Sequence, residues 1–434
     1  LPGAWRAEDS LDELAQLAAT AGIRVAGRLI QRLRQPNPVT YVGKGKLEEL
    51  RLECASQPEL DAVIFDDELT PGQERNIERI LGEGIKVLDR TALILDIFAQ
   101  HAHSREGQIQ VELAQYEYLQ PRLTGMWRHL PRQASGRTSG AFGVGLRGPG
   151  ETQLETDRRR IRTRVAVLRR ELEEVRLSRR QHYRHRRRQE LRTVTLVGYT
   201  NAGKSSLLNA LCYPGQGGDG ESGPPLAYVA DQLFATLDPT TRKVRLPSGT
   251  QVLFTDTVGF IKKLPPSLLA AFRATLEGVE EADLLLHVVD ITHPQAEAQM
   301  RAVEAVLSEL GLADRRILEV YNKIDAAPEW LDLEPRGRNG AVAVSALRRT
   351  GIPALLQAVE ARLREDLVEV EAIIPYGEGR LKNRLFAQGS VEWHQEEAGG
   401  TRLRALVPPG LAASLRPYRV GPAGPQCRYS SQPR

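Results

Sequence analysis

"TVTLVGYTNAGKSSLLNAL", residues 193–211, passes from a β-rich run into a loop bounded by Gly198 and Gly203, then into Lys204, Ser205 and an apolar helical pattern. Strand, loop and helix follow in the order of a P-loop. A polyphosphate is held by backbone N–H groups that must approach closely, so they come from residues with small side chains. It also needs a lysine on its terminal phosphates and a hydroxyl for Mg2+. Gly198, Asn201, Ala202, Gly203, Lys204, Ser205 and Ser206 meet those needs as the expected phosphate contacts. A chance match in a glycine-rich turn is the competing reading, and the segments downstream decide between the two.

"DQLFATLDPTTR" (231–242) sets Thr236 where a hydroxyl can bind Mg2+ and sense a γ-phosphate from a switch loop. "QVLFTDTVGF" (251–260) is an apolar strand ending at Asp256, which suits a carboxylate holding Mg2+ through water. Gly259 is free to donate its N–H to the γ-phosphate. "ILEVYNKID" (317–325) is a buried strand ending in Asn322, Lys323 and Asp325. A carboxylate at Asp325 accepts two hydrogen bonds from the N1–H and exocyclic amine of guanine; adenine presents an acceptor there and would leave the acid unpaired. GTP is therefore the expected nucleotide. Asn322 and Lys323 would brace the loop and cover the base, and "VSAL" (344–347) offers Ser345 and the Ala346 N–H as further base contacts. Lys204, Thr236 and Gly259 are the expected catalytic residues; Ser205, Thr236 and, through water, Asp256 are the expected Mg2+ ligands.

Phe260 stands where Ras-like GTPases place a water-orienting glutamine. Its ring cannot accept a hydrogen bond from water, so it is expected to fold away from the phosphate and leave intrinsic hydrolysis slow. A large partner, K+ bound with the help of Asn201, or backbone groups of an ordered switch could supply what is missing. Asn201 could equally do no more than hydrogen-bond its own loop.

A chain of 434 residues predicts two to four domains at roughly 100 to 200 residues each. Hydrophobic residues make up 41%, and no apolar stretch reaches the ~18 residues of a membrane span. Cys54, Cys212 and Cys427 are widely spaced, which indicates neither a disulfide framework nor a zinc site and fits a reducing compartment. Net charge is only +4, so local clustering of arginine carries more information than the total. The opening "LPGAWRAEDS" has no apolar signal core and specifies no targeting class.

Segments outside the nucleotide motifs narrow the reading. "YVGKGKLEEL" (41–50), "FDDELTPGQERNIE" (65–78), "VLDRTALILDIFAQHA" (87–102) and "GPGETQLETDRRRI" (148–161), together with "GYTNAGKSSL", "DQLFATLDPTTR", "DTVGFI" and "NKID", resemble the HflX GTPases over nearly the whole chain. That family belongs to the Obg and HflX branch of P-loop GTPases and is associated with ribosomes. The resemblance implies a partner in the large ribosomal subunit and its rRNA, a Mg2+-dependent GTP hydrolase cycling between GTP and GDP, and action as a monomer when ribosome-bound. A bacterial cytoplasm or an organelle such as a plastid is the expected setting.

The expected fold class is multidomain α/β. Residues 1–105 alternate short apolar runs, "GIRVAGRLI" and "DAVIFDD", with amphipathic segments, as in a small α/β domain. The Gly-Lys pattern at 43–46 is either an anion-binding helix start or an ordinary capped turn. Residues 106–192 read as a helical hairpin whose second helix repeats Ile161, Val165, Leu168, Leu172 and Val175 at spacings of 4, 3, 4 and 3, a narrow seam for the first helix. Around that seam, "DRRRIRTR" and "RLSRRQHYRHRRR" supply Arg158, Arg159, Arg160, Arg179, Arg180, Arg186, Arg187 and Arg188 as RNA-binding candidates, since guanidinium forks suit phosphate. A solvated basic face is the alternative. The Gly-rich tip, Gly136 to Gly150, is the stretch that the resemblance would send into the large subunit near the peptidyl-transferase centre.

Residues 193–365 form the expected Ras-like P-loop GTPase domain. Residues 366–420 read as strand, helix, strand, strand and short helix, a small α+β C-terminal domain, which the resemblance sets near the ribosomal region that activates GTPases. Residues 421–434 read as a tail, and 212–232 as a low-complexity insertion ahead of the first switch. Two other functions compete: an ATP-dependent RNA remodeller acting through the N-terminal domain, and a GTP-binding assembly scaffold with no need for turnover.

Overall fold

The computed structural model describes residues 6–82, 84–123, 149–188, 191–212, 233–234, 238–263, 278–327, 340–365 and 367–420. Thr236, most of the Gly-rich tip, the insertion at 213–232 and the tail lie outside those residues.

Apolar runs with both faces to be covered make a parallel sheet, and the sequence from 192 onwards does this. β3 (Arg192–Gly198) lies between β5 (Gln251–Asp256) and β6 (Leu284–Asp290), and the sheet continues to β7 (Ile317–Asn322) and β8 (Val342–Ala343). All of those pairs are parallel; β4 (Thr240–Arg245) closes the other edge, antiparallel to β5. α7 (Lys204–Cys212) and α9 (Ile352–Arg364) pack one face through Leu207, Leu208, Leu211, Leu355 and Val359. β5, β3, β6 and β7 run parallel in that order, so the loops after Asp256, Gly198 and Asn322 all leave the carboxyl edge of the sheet, where open α/β sheets bind ligands.

The other face is covered in part from far away in sequence. α1 (Ala7–Thr20), α4 (Arg90–His101) and α5 (Arg105–Leu119) contribute Leu14, Leu17, Ile94, Phe98 and Val111 to a core that also holds Val197, Tyr199, Phe234, Val258 and Phe260. α8 (Ala296–Glu309) joins the same core through Val303 and Leu307. The N-terminal segment thus shares its hydrophobic interior with the nucleotide-binding sheet.

Around that interface α2 (Lys44–Ser56), β1 (Ala62–Phe65), α3 (Pro71–Leu81) and β2 (Lys86–Asp89) form a small α/β unit with a parallel β1–β2 pair. Thr70 and Gln73 make a capping box that starts α3. "DAVIFDD" holds β1, but "GIRVAGRLI" forms no strand: Arg24 and Arg28 turn to Glu59 and Asp12, while Val25, Leu29 and Ile30 stay exposed.

α6 (Pro149–Arg188) is longer than α5 and starts within the stretch read as tip loop. Its seam meets α5 as the spacing requires, with Val165, Leu168 and Leu172 against Ile109 and Leu113. The chain leaves α6 at Arg188 and enters β3 at Arg192. Beyond the GTPase sheet, β9 (Val368–Ile374), α10 (Gly379–Gln388), β10 (Ser390–Glu397), β11 (Gly400–Val407) and α11 (Pro409–Ser414) build an antiparallel sheet in the order β10-β11-β9 with its own core.

Candidate functional site

The loop between β3 and α7 turns on Gly203, whose φ of +86 lies in the left-handed region. A side chain there would strike the Asn322 amide. Lys204 is buried, and its Nζ donates to the carbonyls of Tyr199, 2.8 Å, and Gly198, 3.2 Å. Burial pulls its pKa down to about 8, against the opposing pull of Asp256. Among the described residues Thr200 Oγ1 is buried without a hydrogen-bond partner, a spare hydroxyl in the loop that a phosphate oxygen can satisfy. Asn201 is exposed at the turn, with φ +60.

Ser205, at the first turn of α7, donates from Oγ to Oδ2 of Asp256, 2.6 Å away at the end of β5. A hydroxyl and a carboxylate in contact are hard oxygen donors of the kind that Mg2+ takes when phosphates supply further ligands. No group of three or more His, Cys, Asp or Glu that could hold a metal ion occurs among the described residues.

The segment after Asp256 lies back across the loop. Phe260 N–H donates to the Gly198 carbonyl at 3.0 Å, and Thr200 N–H to the Phe260 carbonyl at 2.8 Å. Gly259 comes so near Thr200 that a Cβ would sit 2.7 Å from its Cα, which excludes any other residue without a backbone shift. The Phe260 ring is 2% exposed and belongs to the core shared with the N-terminal helices.

Asn322 joins the phosphate loop to the loops after β7 and β8. Its Nδ2 donates to Ala202 O at 2.9 Å, and its Oδ1 accepts from Ala346 N at 3.0 Å. Ala346 N–H, expected on the base, is thus committed to Asn322. Ser345 Oγ likewise donates to Asp325 Oδ1 at 2.6 Å and orients that carboxylate. Lys323, at φ +67, pairs with Asp290 at 2.7 Å. The structure therefore brings Gly198, Asn201, Ala202, Gly203, Lys204, Ser205, Ser206, Asp256, Gly259, Asn322, Lys323, Asp325, Ser345 and Ala346 to one edge of one sheet.

Both sides of Thr236 are held by described residues. Leu233 and Phe234 are buried in the shared core, the Phe234 ring edge-on to Phe98 of α4 at 4.5 Å. Asp238 accepts from Ser104 N at 2.7 Å and His103 N at 3.0 Å, and also from the Ser104 hydroxyl that caps α5.

Sequence reasoning missed these contacts, and it missed a second set. Tyr199 Oη donates to Glu13 of α1 at 2.5 Å and accepts from Lys262 N at 2.8 Å. Burial first, and Glu13 second, raise the phenol pKa, so this hydroxyl keeps its proton. Glu13 pairs with Arg90, Arg90 with Asp66 at 2.7 Å, and Asp66 with Lys263 at 2.5 Å. The tyrosine lies inside the P-loop motif and was its one visible signal. Glu13 lies 186 positions earlier, and nothing in local spacing announces the pairing.

Of the arginine candidates, Arg158, Arg159 and Arg160 lie in the first half of α6. Arg159 and Arg160 are exposed; Arg160 stands 3.8 Å from Asp157. Arg179, Arg180, Arg186, Arg187 and Arg188 lie on the backbone of α6, and their side chains fall outside the described residues. The basic surface is less uncompensated than composition suggests: Arg164 makes a two-pronged pair with Glu112, and Arg169 binds Glu117 at 2.9 Å.

Residues 8–99 match the family described as "GTP-binding GTPase N-terminal", 101–187 "GTP-binding GTPase Middle Region", and 193–323 "50S ribosome-binding GTPase". A protein called GTPase HflX from Caldanaerobacter subterraneus subsp. tengcongensis is 45% identical over 413 residues, 95% of this chain and 91% of that protein. The Escherichia coli K12 protein of the same name is 40% identical over 405 residues, covering 92% and 90%. A solved structure described as the SsGBP and GDP complex is 25% identical, covers 82% of this chain and 95% of that one, and has a TM-score of 0.44.

Proposed function

Because the chain belongs to the HflX family of GTPases, we propose that it docks on the large ribosomal subunit through α5 and α6 and couples GTP hydrolysis to splitting, rescue or assembly of ribosomes. The chain is a GTP hydrolase with a ribosome-binding type of GTPase domain. The observation that carries the coupling is continuity: the arginine-rich α6 runs into β3, and β3 runs into the loop bearing Lys204.

In this reading Lys204 and the P-loop amides hold the β and γ phosphates, and Gly259 offers its N–H to the γ-phosphate. Ser205, Thr236 and, through water, Asp256 would hold Mg2+, which would supply positive charge against the phosphates. Asp325, kept in place by Ser345, reads guanine, and Asn322 makes the base loop and phosphate loop one unit. Asn201 is the residue for a K+ contact; equal turnover in KCl and NaCl would remove that role. The setting is the cytoplasm of a bacterium, with a plastid as the alternative.

Cosedimentation with ribosomal subunits tests the scheme. Association with the large subunit in a non-hydrolysable GTP analogue, and its loss in GDP, is the expected result; indifference to nucleotide would break the coupling. Comparing ribosome-stimulated turnover of GTP and ATP removes the RNA-remodeller reading if only GTP responds. The scaffold reading prevails if subunits fail to accelerate hydrolysis and Lys204→Ala leaves cellular function intact.

A further inference from the structure

Behind the nucleotide loop five side chains close a ring around the backbone that follows Gly259. Tyr199 Oη accepts Lys262 N–H and donates to Glu13; Glu13 pairs with Arg90, Arg90 with Asp66, and Asp66 with Lys263, the neighbour of Lys262. Three of the five are nearly inaccessible, Arg90 at 1%, Tyr199 at 4% and Glu13 at 7%. Burial works against the Arg90 charge, but Glu13 and Asp66 prevail and raise its pKa, so the cation persists. Ser10 of α1 adds a hydrogen bond to Asp66 at 2.6 Å, and Asp67 a second carboxylate to Lys263 at 2.6 Å.

The ring has a geometric consequence. Lys263 stands at φ +57, a left-handed conformation that a non-glycine residue keeps only where its surroundings over-determine it. Here two carboxylates grip its ammonium. One residue earlier, the Lys262 N–H is fixed to a tyrosine of the phosphate loop itself. Gly259 lies three residues before Lys262, with the Phe260 carbonyl and N–H also tied to the loop. The turn from Gly259 to Lys263 is thus held from the phosphate loop and from α1, α4 and the loop after β1.

We propose that Tyr199 and Lys263, supported by Glu13, Arg90 and Asp66, are positioning residues that hold the Gly259 backbone for the γ-phosphate, the N-terminal segment supplying part of the order that Phe260 cannot. The proposal rests on Gly259 as the γ-phosphate contact. Residues that pre-set a backbone donor act on the transition state more than on ground-state binding, so their loss lowers kcat and leaves KM in place.

The experiment uses the full chain. Tyr199→Phe keeps the ring in the core and deletes the hydroxyl; it should lower kcat for GTP about tenfold, with KM and GDP affinity within about twofold. Lys263→Glu should do the same, whereas Lys263→Arg, which keeps a cation between Asp66 and Asp67, should retain most of the rate, a contrast that a lesion in folding common to both variants would not show. Unchanged kcat in both Tyr199→Phe and Lys263→Glu overturns the positioning role. A rise in kcat overturns it too, since the ring would then be a brake. Equal loss of GTP and GDP affinity would make the ring merely structural. Lys204→Ala reports separately on the nucleotide site: if it binds and turns over GTP normally, the reading of the site fails whatever the ring variants do.

Discussion

Phe260 stands where a water-orienting side chain would follow "DTVG", yet its ring is buried. Its ring is spent on packing, in the same core as Phe98, Val258 and Ile261. Phe260→Ala should therefore cost on the order of 3 to 5 kcal/mol in urea unfolding, while Phe260→Leu should cost far less, because the larger side chain refills the space. His287 makes a different kind of prediction. It lies on the central strand β6, beside Val197 of β3, and burial, with Lys204 second, lowers its pKa to about 4. In the unfolded chain it binds a proton below about pH 6.5. The folded state keeps it neutral until about pH 4, so stability should fall through that window as pH drops, by about 3 kcal/mol in all. His287→Leu should flatten that part of the pH profile of the urea midpoint. An unchanged profile would show that other groups dominate acid unfolding.

The arginines of the α5–α6 helix pair separate into two sets. Arg164 and Arg169 reach across to Glu112 and Glu117 of α5, whereas Arg159 and Arg160 are exposed and Arg160 stands 3.8 Å from Asp157 of its own helix. Replacing Arg158, Arg159 and Arg160 together by glutamine should reduce the slope of log affinity for large-subunit RNA against log salt by roughly 2, the counterions of three phosphates. Arg164→Gln should leave that slope almost unchanged, which a titration series in KCl would show. The seam from Ile161 to Leu172 was legible because helical period alone decides which face is apolar. The pairing of α6 arginines with α5 acids was not, since their partners lie about 50 positions away and only the packing aligns them. "GIRVAGRLI", read only as an apolar run, pairs with no strand, and its arginines go to Asp12 and Glu59, again contacts that local spacing does not announce.

Over the whole molecule, local motifs and shared interiors differ in what sequence reveals. Gly198, Gly203, Lys204 and Ser205 are legible because one loop does the work and spacing along the chain is spacing in space. The core that joins α1, α4 and α5 to Val197, Tyr199, Phe234 and Phe260 is not, because its two halves are separated by the whole of α6 and each half looks like an ordinary amphipathic pattern. That shared core has a measurable consequence. A cooperative unit opens together, so backbone amides of α1 and α4 should exchange with the same free energy as those of β3 and β6 in native-state hydrogen exchange. The antiparallel sheet of β9, β10 and β11 has a separate core of Val370, Ala372, Leu403, Ala405 and Leu411, and should open on its own at lower free energy. Adding the GTP analogue with Mg2+ should raise the first group in concert by the binding free energy and leave the second group's separate opening where it was. If α1 instead exchanges with the C-terminal sheet, or stays flat when β3 rises, the N-terminal helices are not part of the nucleotide unit. The shared core would then be a contact without cooperative weight.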